Sequence, residues 1–298
     1  MISHTLPRNL ASLSIFLVLT LTACAVSGSL NLVPATLTPT PSPTPTATPI
    51  PLAVSVNGEG IAILEFDTEL ARYQQAQTAL GNTVSLETAT KAVSDEFIDN
   101  LLLAQGAADN GYKVDDVALQ SRIDSLITQI GGPDKLTAWE TAHGYTDTEF
   151  RSDLRCQMAA AHMRDQIAAS VPATAEQVHV KQILLYNADA AQQALGYLKS
   201  GWNFNDLAAQ YNPVTKGELG WFPRGYLSDS AIEEAAFALQ PGQYSDIIQT
   251  QAGYDILFVV ERDPAHPLSP DAWLTLQEHA VQNWLTQRRN TSTILFAP

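Results

Sequence analysis

Few of the side chains that could do acid, base, nucleophilic or metal chemistry are spaced for it. The six histidines are scattered, with no pair at the i, i+4 spacing that puts two ligands on one helical face, and only two cysteines occur. No G-x-S-x-G elbow, phosphate-binding loop or dinucleotide fingerprint is present. We therefore expect no metal and no other cofactor.

One of the two cysteines, Cys24, lies where a covalent modification is expected. It follows an apolar run from Leu10 to Leu21, which is preceded by Arg8, is too short to span a bilayer and is typical of a secretory signal. Leu21-Thr22-Ala23-Cys24 resembles the bacterial lipobox, in which the cysteine is acylated and becomes the new N-terminus. The alternative is an ordinary cleaved signal with an incidental cysteine. We favour residues 1–23 as a lipoprotein signal peptide, because small residues and the cysteine come directly after the apolar run.

The second cysteine, Cys156, is then left without a partner. A lone cysteine excludes an intramolecular disulfide in an exported protein. Its neighbours on a predicted helix are apolar, which favours a packing role over a reactive one.

Residues 24–52 form a predicted stalk. The segment from Pro34 to Pro51 holds seven prolines and six threonines without periodicity, so it cannot bury a core and should be extended. At ~3.1 Å per residue its reach is roughly 55 Å. The whole chain has a net charge of −15, which argues against nucleic acid as a partner and against a polybasic contact with anionic lipid. We therefore expect any membrane contact to come from a lipid on Cys24.

Residues 53–173 read as a mostly helical lobe. Val54 and Val56 alternate before an Asn57-Gly58 turn, which predicts a β-hairpin. Thr146 and Glu149 have the spacing of a capping box. The apolar periodicity predicts helices around Phe66–Tyr73, Val93–Ala104, Ile123–Ile130, Trp139 and Phe150–Met158.

Residues 174–263 read as a second, mixed domain of α+β class. Its elements have the order strand, helix, helix, strand, helix, strand, strand, which predicts a four-stranded antiparallel sheet with packed helices. The strands are predicted over Val178–Tyr186, Glu218–Phe222, Tyr244–Thr250 and Gly253–Arg262, with helices over Ala188–Lys199, Phe204–Gln210 and Ser230–Leu239. A last helix, from about Pro270 to Arg289, falls in residues 264–298 and carries Trp273 and Trp284 on one stripe.

Three segments of the mixed domain resemble a parvulin-type prolyl isomerase domain. They are Val178–Tyr186 (VHVKQILLY), Phe204–Tyr211 (FNDLAAQY) and Gly217–Arg262, which contains GELGWF and RGYLSD. The resemblance implies an apolar substrate-binding pocket built from Leu219, Phe222, Leu227 and Ile232. All four could instead be core: this is the favoured interpretation for Phe222, and for Leu219 and Leu227 the two are balanced.

The same resemblance places the catalytic positions at Gln182 and Asp255, where the family usually carries two histidines. Two hypotheses compete. In one, the Gln182 amide donates a hydrogen bond to the Asp255 carboxylate, and isomerisation survives in weakened form. In the other, the site has decayed and the domain binds extended or proline-containing chains without isomerising them.

Within the helical lobe, Val56-Asn57-Gly58-Glu59 and Phe97–Leu102 (FIDNLL) resemble the N-terminal chaperone region of PrsA/SurA-type foldases. That resemblance implies a helical chaperone lobe, completed by the returning C-terminal helix, next to the isomerase domain. It implies an extracytoplasmic protein, lipid-anchored at the outer face of the plasma membrane or in the periplasm, whose partners are unfolded or proline-containing exported polypeptides. The alternatives are a non-catalytic holdase and an adhesion or assembly factor that uses the fold as a peptide clamp.

Overall fold

The structure, a computed structural model, describes residues 51–297. The predicted signal peptide, Cys24 and all but the last two residues of the predicted stalk fall outside this range. In the part of the chain that is described, no helix combines the length and the apolar character needed to cross a membrane.

Six helices and a small sheet form the first group of elements, which we call the helical lobe. Its strands are β1 (Leu52–Val56) and β2 (Glu59–Ala62), followed by helices α1 (Ile63–Ala79), α2 (Leu86–Asp109), α3 (Asp116–Ile130), α4 (Pro133–Ala142) and α5 (Asp147–Ala169). A second group of elements, which we call the sheet domain, follows. It consists of β3 (Thr174–Leu185), α6 (Ala188–Lys199), α7 (Phe204–Tyr211), β4 (Glu218–Pro223), α8 (Ser230–Ala238), β5 (Ile248–Gln249) and β6 (Tyr254–Pro267). The chain then returns to the lobe with α9 (Pro270–Thr291) and β7 (Ile294–Phe296).

The predicted hairpin opens the helical lobe. Asn57 and Gly58 have φ angles of 55° and 89°, the pair of positive values that a type I′ turn between β1 and β2 requires. Val54 and Val56 are buried against α2. On its other edge β1 pairs with β7, so the sheet has the order β2-β1-β7. The strand at residues 294–296 was not predicted.

Local capping sets where the helices of the lobe begin. The Thr146 hydroxyl accepts the backbone N–H of Glu149, whose carboxylate accepts the Thr146 N–H in return, so the predicted capping box is confirmed. The Asp115 side chain accepts the N–H of Ala118 and caps the start of α3. Cys156 on α5 is partly buried, and burial raises the pKa of its thiol to about 11, which agrees with a packing role.

Helix α9 packs against α2 and α5 of the helical lobe. Trp284 and Leu285 contact the apolar clusters of both helices, and the Trp284 ring lies directly on Gly106 of α2, leaving no room for a side chain there. Arg289 binds Asp95 at 2.9 Å and Asp99 at 2.7 Å. The two chain segments of the lobe are thus held by both apolar and charged contacts.

The sheet domain is a four-stranded antiparallel sheet of order β4-β3-β6-β5 with a helical layer on each face. Helices α6 and α7 cover one face through a core that includes Ile183, Leu195 and Ile256. Helix α8 covers the other face through a second core that includes Val180 and Leu257. The predicted α+β fold, a mostly helical lobe plus a four-stranded antiparallel sheet with packed helices, is confirmed.

The predicted strand over Tyr244–Thr250 is wrong in extent. Only Ile248 and Gln249 form β5, and Tyr244 contributes an isolated bridge to Phe258. The reason is Ser245: its N–H bonds to the Leu257 carbonyl, but its hydroxyl, not its carbonyl, accepts the Leu257 N–H at 2.9 Å. A side chain therefore replaces the backbone at one step of the ladder, which interrupts the strand.

Candidate functional site

The candidate site lies on the face of the sheet that α8 covers. Antiparallel register puts Gln182 opposite Leu257 and Leu184 opposite Asp255, so all four side chains belong to this face. The apolar part of the face is a buried cluster with partly buried side chains at its margin, among them Tyr226, Leu227 and Ile248. The site is therefore an apolar surface bordered by two polar side chains from β3 and β6.

Two of the four predicted substrate-binding residues are core. Phe222 exposes 1% of its surface and packs edge-on against Phe237 of α8, with ring centroids 6.2 Å apart. Ile232, in the first turn of α8, exposes 7%. Phe222 was expected in the core; Ile232 was not, and its burial follows from its place on the sheet-facing side of α8. Phe222 and Ile232 therefore belong to the buried core beneath the site.

Leu219 and Leu227 are the two predicted residues that solvent reaches. The β3–β4 register moves from Val180–Gly220 to Lys181–Glu218, so Leu219 is an unpaired bulge residue. It is 38% exposed although it is a large apolar side chain. Leu227 lies in the loop before α8 and packs partly against the buried cluster. These two leucines are the accessible apolar side chains that the resemblance assigned to the pocket.

Glu233 holds the loop that carries Leu227, a role that sequence analysis missed. Its carboxylate accepts the N–H of Gly225 at 2.8 Å, of Tyr226 at 3.2 Å and of Leu227 at 3.4 Å. The sequence did carry a signal for this role: a glycine-containing loop, Gly225-Tyr226-Leu227, stands shortly before a helix whose first turn is acidic. A carboxylate in that turn can accept the N–H groups of the loop and hold it against the helix.

The hydrogen bond between Gln182 and Asp255 that one of the two hypotheses requires is not formed in the structure. The Oδ2 atom of Asp255 accepts the Thr250 hydroxyl at 3.0 Å, and its Oδ1 atom has no hydrogen-bond partner among residues 51–297. The register explains this: Gln182 lies opposite Leu257, one diagonal step from Asp255, while Thr250 reaches Asp255 from the β5–β6 turn. Thr250 is a second residue that the sequence analysis did not assign to the site.

Asp255 is a buried carboxyl, with 2% of its surface exposed. Burial raises its pKa above the ordinary value, the charge of Asp229 raises it further, and the Thr250 hydrogen bond lowers it in part. A carboxyl in this setting is poised to take up a proton, and in the protonated form it gains an O–H donor. Its Oδ1 atom is itself buried and has no hydrogen-bond partner among residues 51–297, so the carboxyl borders the apolar face from inside the protein.

We expect Asp255→Asn to change stability in a pH-dependent way. Folding raises the Asp255 pKa above 3.8, so this carboxyl stabilises the fold below that pH, and the contribution is lost as the pH rises through the higher folded pKa. The asparagine variant does not suffer this loss. The free energy of unfolding of the variant, relative to that of wild type, should rise from about pH 4 upward by about 1.4 kcal/mol for each unit by which folding raises the Asp255 pKa. Above the folded pKa this difference should stay constant. Urea unfolding across this pH range measures the difference.

Asp246→Asn is the matched control, because it removes an exposed carboxylate from the same segment of chain. A difference between wild type and Asp255→Asn that stays flat as the pH rises would contradict the raised pKa.

Comparison with known proteins agrees with this architecture. The PPIC-type PPIASE domain family matches residues 171–272, so the sheet domain is of the peptidyl-prolyl isomerase class. The SurA-like N-terminal domain family matches residues 12–164, just over half of the 298-residue chain. The chain therefore belongs to the PrsA/SurA-type foldase family, as the resemblance implied.

Individual proteins with sequences similar to this chain are named PrsA or SurA. Foldase protein PrsA of Bacillus subtilis is 29% identical over 195 residues, and Chaperone SurA of Methylobacillus flagellatus is 28% identical over 211 residues. These alignments cover 61% and 58% of this chain but 66% and 47% of the two relatives, less than two thirds of either. Among solved structures, the peptidylprolyl isomerase PrsA of Bacillus cereus matches with a TM-score of 0.44 at 19% identity, covering 81% of this chain and 86% of that one.

Proposed function

We propose that this chain is an extracytoplasmic foldase that binds unfolded polypeptides and accelerates cis–trans isomerisation of their X-Pro bonds. The observation that carries the proposal is the site on the α8 face. There, the partly exposed Leu227 packs on a buried apolar cluster that the buried Asp255 carboxyl borders, and the exposed Leu219 lies on the adjoining strand β4. The match to the PPIC-type family over residues 171–272 supports the same assignment.

The reaction needs no covalent step. Rotation about an X-Pro bond is opposed by amide resonance, with a barrier of ~18–20 kcal/mol, and takes tens to hundreds of seconds unaided. An apolar surface that holds the pyrrolidine ring removes water from the amide and disfavours its charge-separated resonance form. Every ~1.4 kcal/mol by which the twisted bond is stabilised over the planar one accelerates the reaction about tenfold.

On this proposal the site residues have separate roles. Leu219 and Leu227 contact the proline ring, and Phe222 and Ile232 form the buried wall behind them. Thr250 orients the buried Asp255 carboxyl through Oδ2, and this carboxyl sets the polarity of the face beneath the bound peptide. Gln182, partly buried on the same face, supplies an amide for the peptide backbone.

Truncating Leu219 or Leu227 tests whether these side chains contact the proline ring. Leu219→Ala should lower kcat/KM for a proline-containing peptide about tenfold, because a contact made with the twisted imide is lost at a cost of about 1.4 kcal/mol. Leu227→Ala should give a similar loss. The measurement is a peptide isomerisation assay on the full chain, with unfolding curves to show that each variant folds.

Leu274→Ala is the control, since Leu274 is an exposed leucine on α9, remote in sequence from the site. If all three variants isomerise the peptide as wild type does, the site lies elsewhere. If the wild-type chain does not catalyse at all, the enzymatic part of the proposal fails.

A second candidate, a holdase without catalysis, is favoured by one observation: neither Gln182 nor Asp255 reproduces the histidine pair, and the two side chains do not bind each other. The two functions separate experimentally. A holdase suppresses the aggregation of an unfolding client while leaving the isomerisation rate of a proline peptide at its uncatalysed value.

Membrane attachment through an acyl group on Cys24 is part of the proposal and is supported by the lipobox-like residues 21–24. Cys24→Ser should move the protein from the membrane fraction to the soluble fraction of cells that express it. If the variant still sediments with membranes, the anchor is not this cysteine.

A further inference from the structure

A cleft of about 480 Å³ opens in the helical lobe between α1, α2, α5 and the turn after α4. The volume lies within the range of about 300–1,000 Å³ that is usual for ligand pockets. Its floor is apolar and includes Val93, Phe97 and Leu101 of α2. Leu64 and Trp139, which also line it, are 77% and 42% exposed, so apolar surface continues from the floor to the solvent.

Five carboxylates line the same cleft, and among the described lining residues Arg72 is the one lysine or arginine. The acidic residues are Glu65, Glu69, Glu96, Glu149 and Asp153. Arg72 is already engaged: it binds Glu69 at 2.7 Å, Tyr145 Oη at 3.0 Å and the carbonyl of His143, and its guanidinium lies 4.4 Å from the centre of the Tyr145 ring. Glu149 is held in the capping box with Thr146.

Three carboxylates of the cleft, Glu65, Glu96 and Asp153, have no lysine or arginine partner among residues 51–297. Their environment also disfavours negative charge. Burial raises the pKa of each one, and neighbouring carboxylates of the cleft raise it further. The described residues do not converge as a metal site. A cation on an organic group is therefore the charge that would complete the cleft.

We propose that this cleft binds a lysine or arginine side chain of an unfolded polypeptide, with the apolar neighbours of that side chain on the Phe97–Leu101 floor. The chemistry fits both parts of the cleft, because these side chains have an apolar stem and a charged head. The inference rests on the proposal that the chain holds unfolded polypeptides, and it gives the holding site a preference: basic–apolar segments over neutral–apolar ones.

The test uses the full chain and two fluorescein-labelled peptides. Both are serine–leucine peptides without proline, so that the isomerase site does not contribute, and they differ in carrying two arginines or two citrullines. Citrulline keeps the shape and loses the charge. Fluorescence anisotropy in about 0.01 M salt should give about tenfold tighter binding of the arginine peptide. In about 0.1 M salt the screening length falls from about 30 to about 10 Å, and the preference should shrink.

Two double variants make the test specific. Glu96→Gln with Asp153→Asn removes one cleft carboxylate from α2 and one from α5, and should bring the arginine-to-citrulline preference to about one without changing the affinity for citrulline. The same change relieves repulsion, so the variant should fold at least as well as wild type. Glu87→Gln with Asp165→Asn removes exposed carboxylates from the same two helices outside the cleft, and should keep the tenfold preference.

The outcomes separate the inference from the function on which it rests. Wild-type binding of both peptides with equal affinity, or a preference that survives in the cleft variant, overturns the inference alone. If wild type binds neither peptide and does not suppress client aggregation, the holding function fails and the inference falls with it.

Discussion

Gly217→Ala will lower the free energy of unfolding by about 2 to 5 kcal/mol. Gly217 has φ +76°, a left-handed conformation that costs an L-residue about 1–2 kcal/mol. An added Cβ would also lie 2.3 Å from the Gln182 carbonyl oxygen and 3.1 Å from the Cβ of Ala208 in the core. Overpacking of this kind costs about 1–3 kcal/mol more. Urea unfolding followed by tryptophan fluorescence measures the loss.

The clash cannot be relieved cheaply, because both contacts are fixed. The Gln182 N–H donates to the Gly217 carbonyl at 2.7 Å, so moving the two backbones apart breaks a hydrogen bond that joins β3 to the segment before β4. Ala208 belongs to α7 and is fully buried. If the proposed isomerase function holds, the variant should lose that activity as well, because Gln182 and Leu219 flank the strained segment.

Gly220→Ala, three residues further along and inside β4, is the matched control. Gly220 has φ +80°, but an added Cβ would meet nothing within 4 Å, so only the conformational cost of about 1–2 kcal/mol applies. Equal losses in the two variants would show that the close approach at Gly217 does not exist in solution.

Trp284→Ala will lower the free energy of unfolding by about 3 kcal/mol. The indole joins two apolar clusters of the helical lobe, one that contains Leu102 and one that contains Ala107 and Met163. Truncating a tryptophan in a packed interface leaves a cavity, which costs about 3–5 kcal/mol when the ring is fully buried. Trp273→Ala, on the same helix but 41% exposed, should cost about 1 kcal/mol and serves as the control.

A double-mutant cycle with Gly106 makes the second prediction sharper. An alanine Cβ at position 106 would lie 2.6 Å from Cζ2 of Trp284, so Gly106→Ala alone should destabilise the protein. In the Trp284→Ala background the space is free, and the same change should stabilise α2 by about 1 kcal/mol through helix propensity. A Gly106→Ala effect of the same sign in both backgrounds would rule out direct packing of the ring on this glycine.

Sequence analysis predicted the elements whose signals are local. The Asn57-Gly58 turn, the Thr146–Glu149 capping box and the apolar periodicity of the helices each depend on residues a few positions apart, and all are present. Helix α8 was also correct to within a residue at its end. The residues that determine each of these features lie within the feature itself.

The missed features depend on partners that are remote in sequence. Residues 294–296 become a strand only because β1 offers an open edge, and three residues carry no periodicity of their own. Ser245 interrupts its strand because its hydroxyl meets Leu257 across the sheet. Likewise, Thr250 takes the Asp255 carboxylate that had been assigned to Gln182, and which side chain wins is decided by register.

The pairing of β7 with β1 has a consequence for the order in which the molecule matures. Thr293 donates to Asn57 across 236 positions of chain, whereas every strand pairing of the sheet domain closes within residues 174–267. A protein that emerges from its N-terminus can therefore finish the sheet domain while the lobe still lacks its last strand and helix. Since contacts between distant segments form slowly, the helical lobe is the last part to complete its fold, and it does so only after residues 294–296 have emerged.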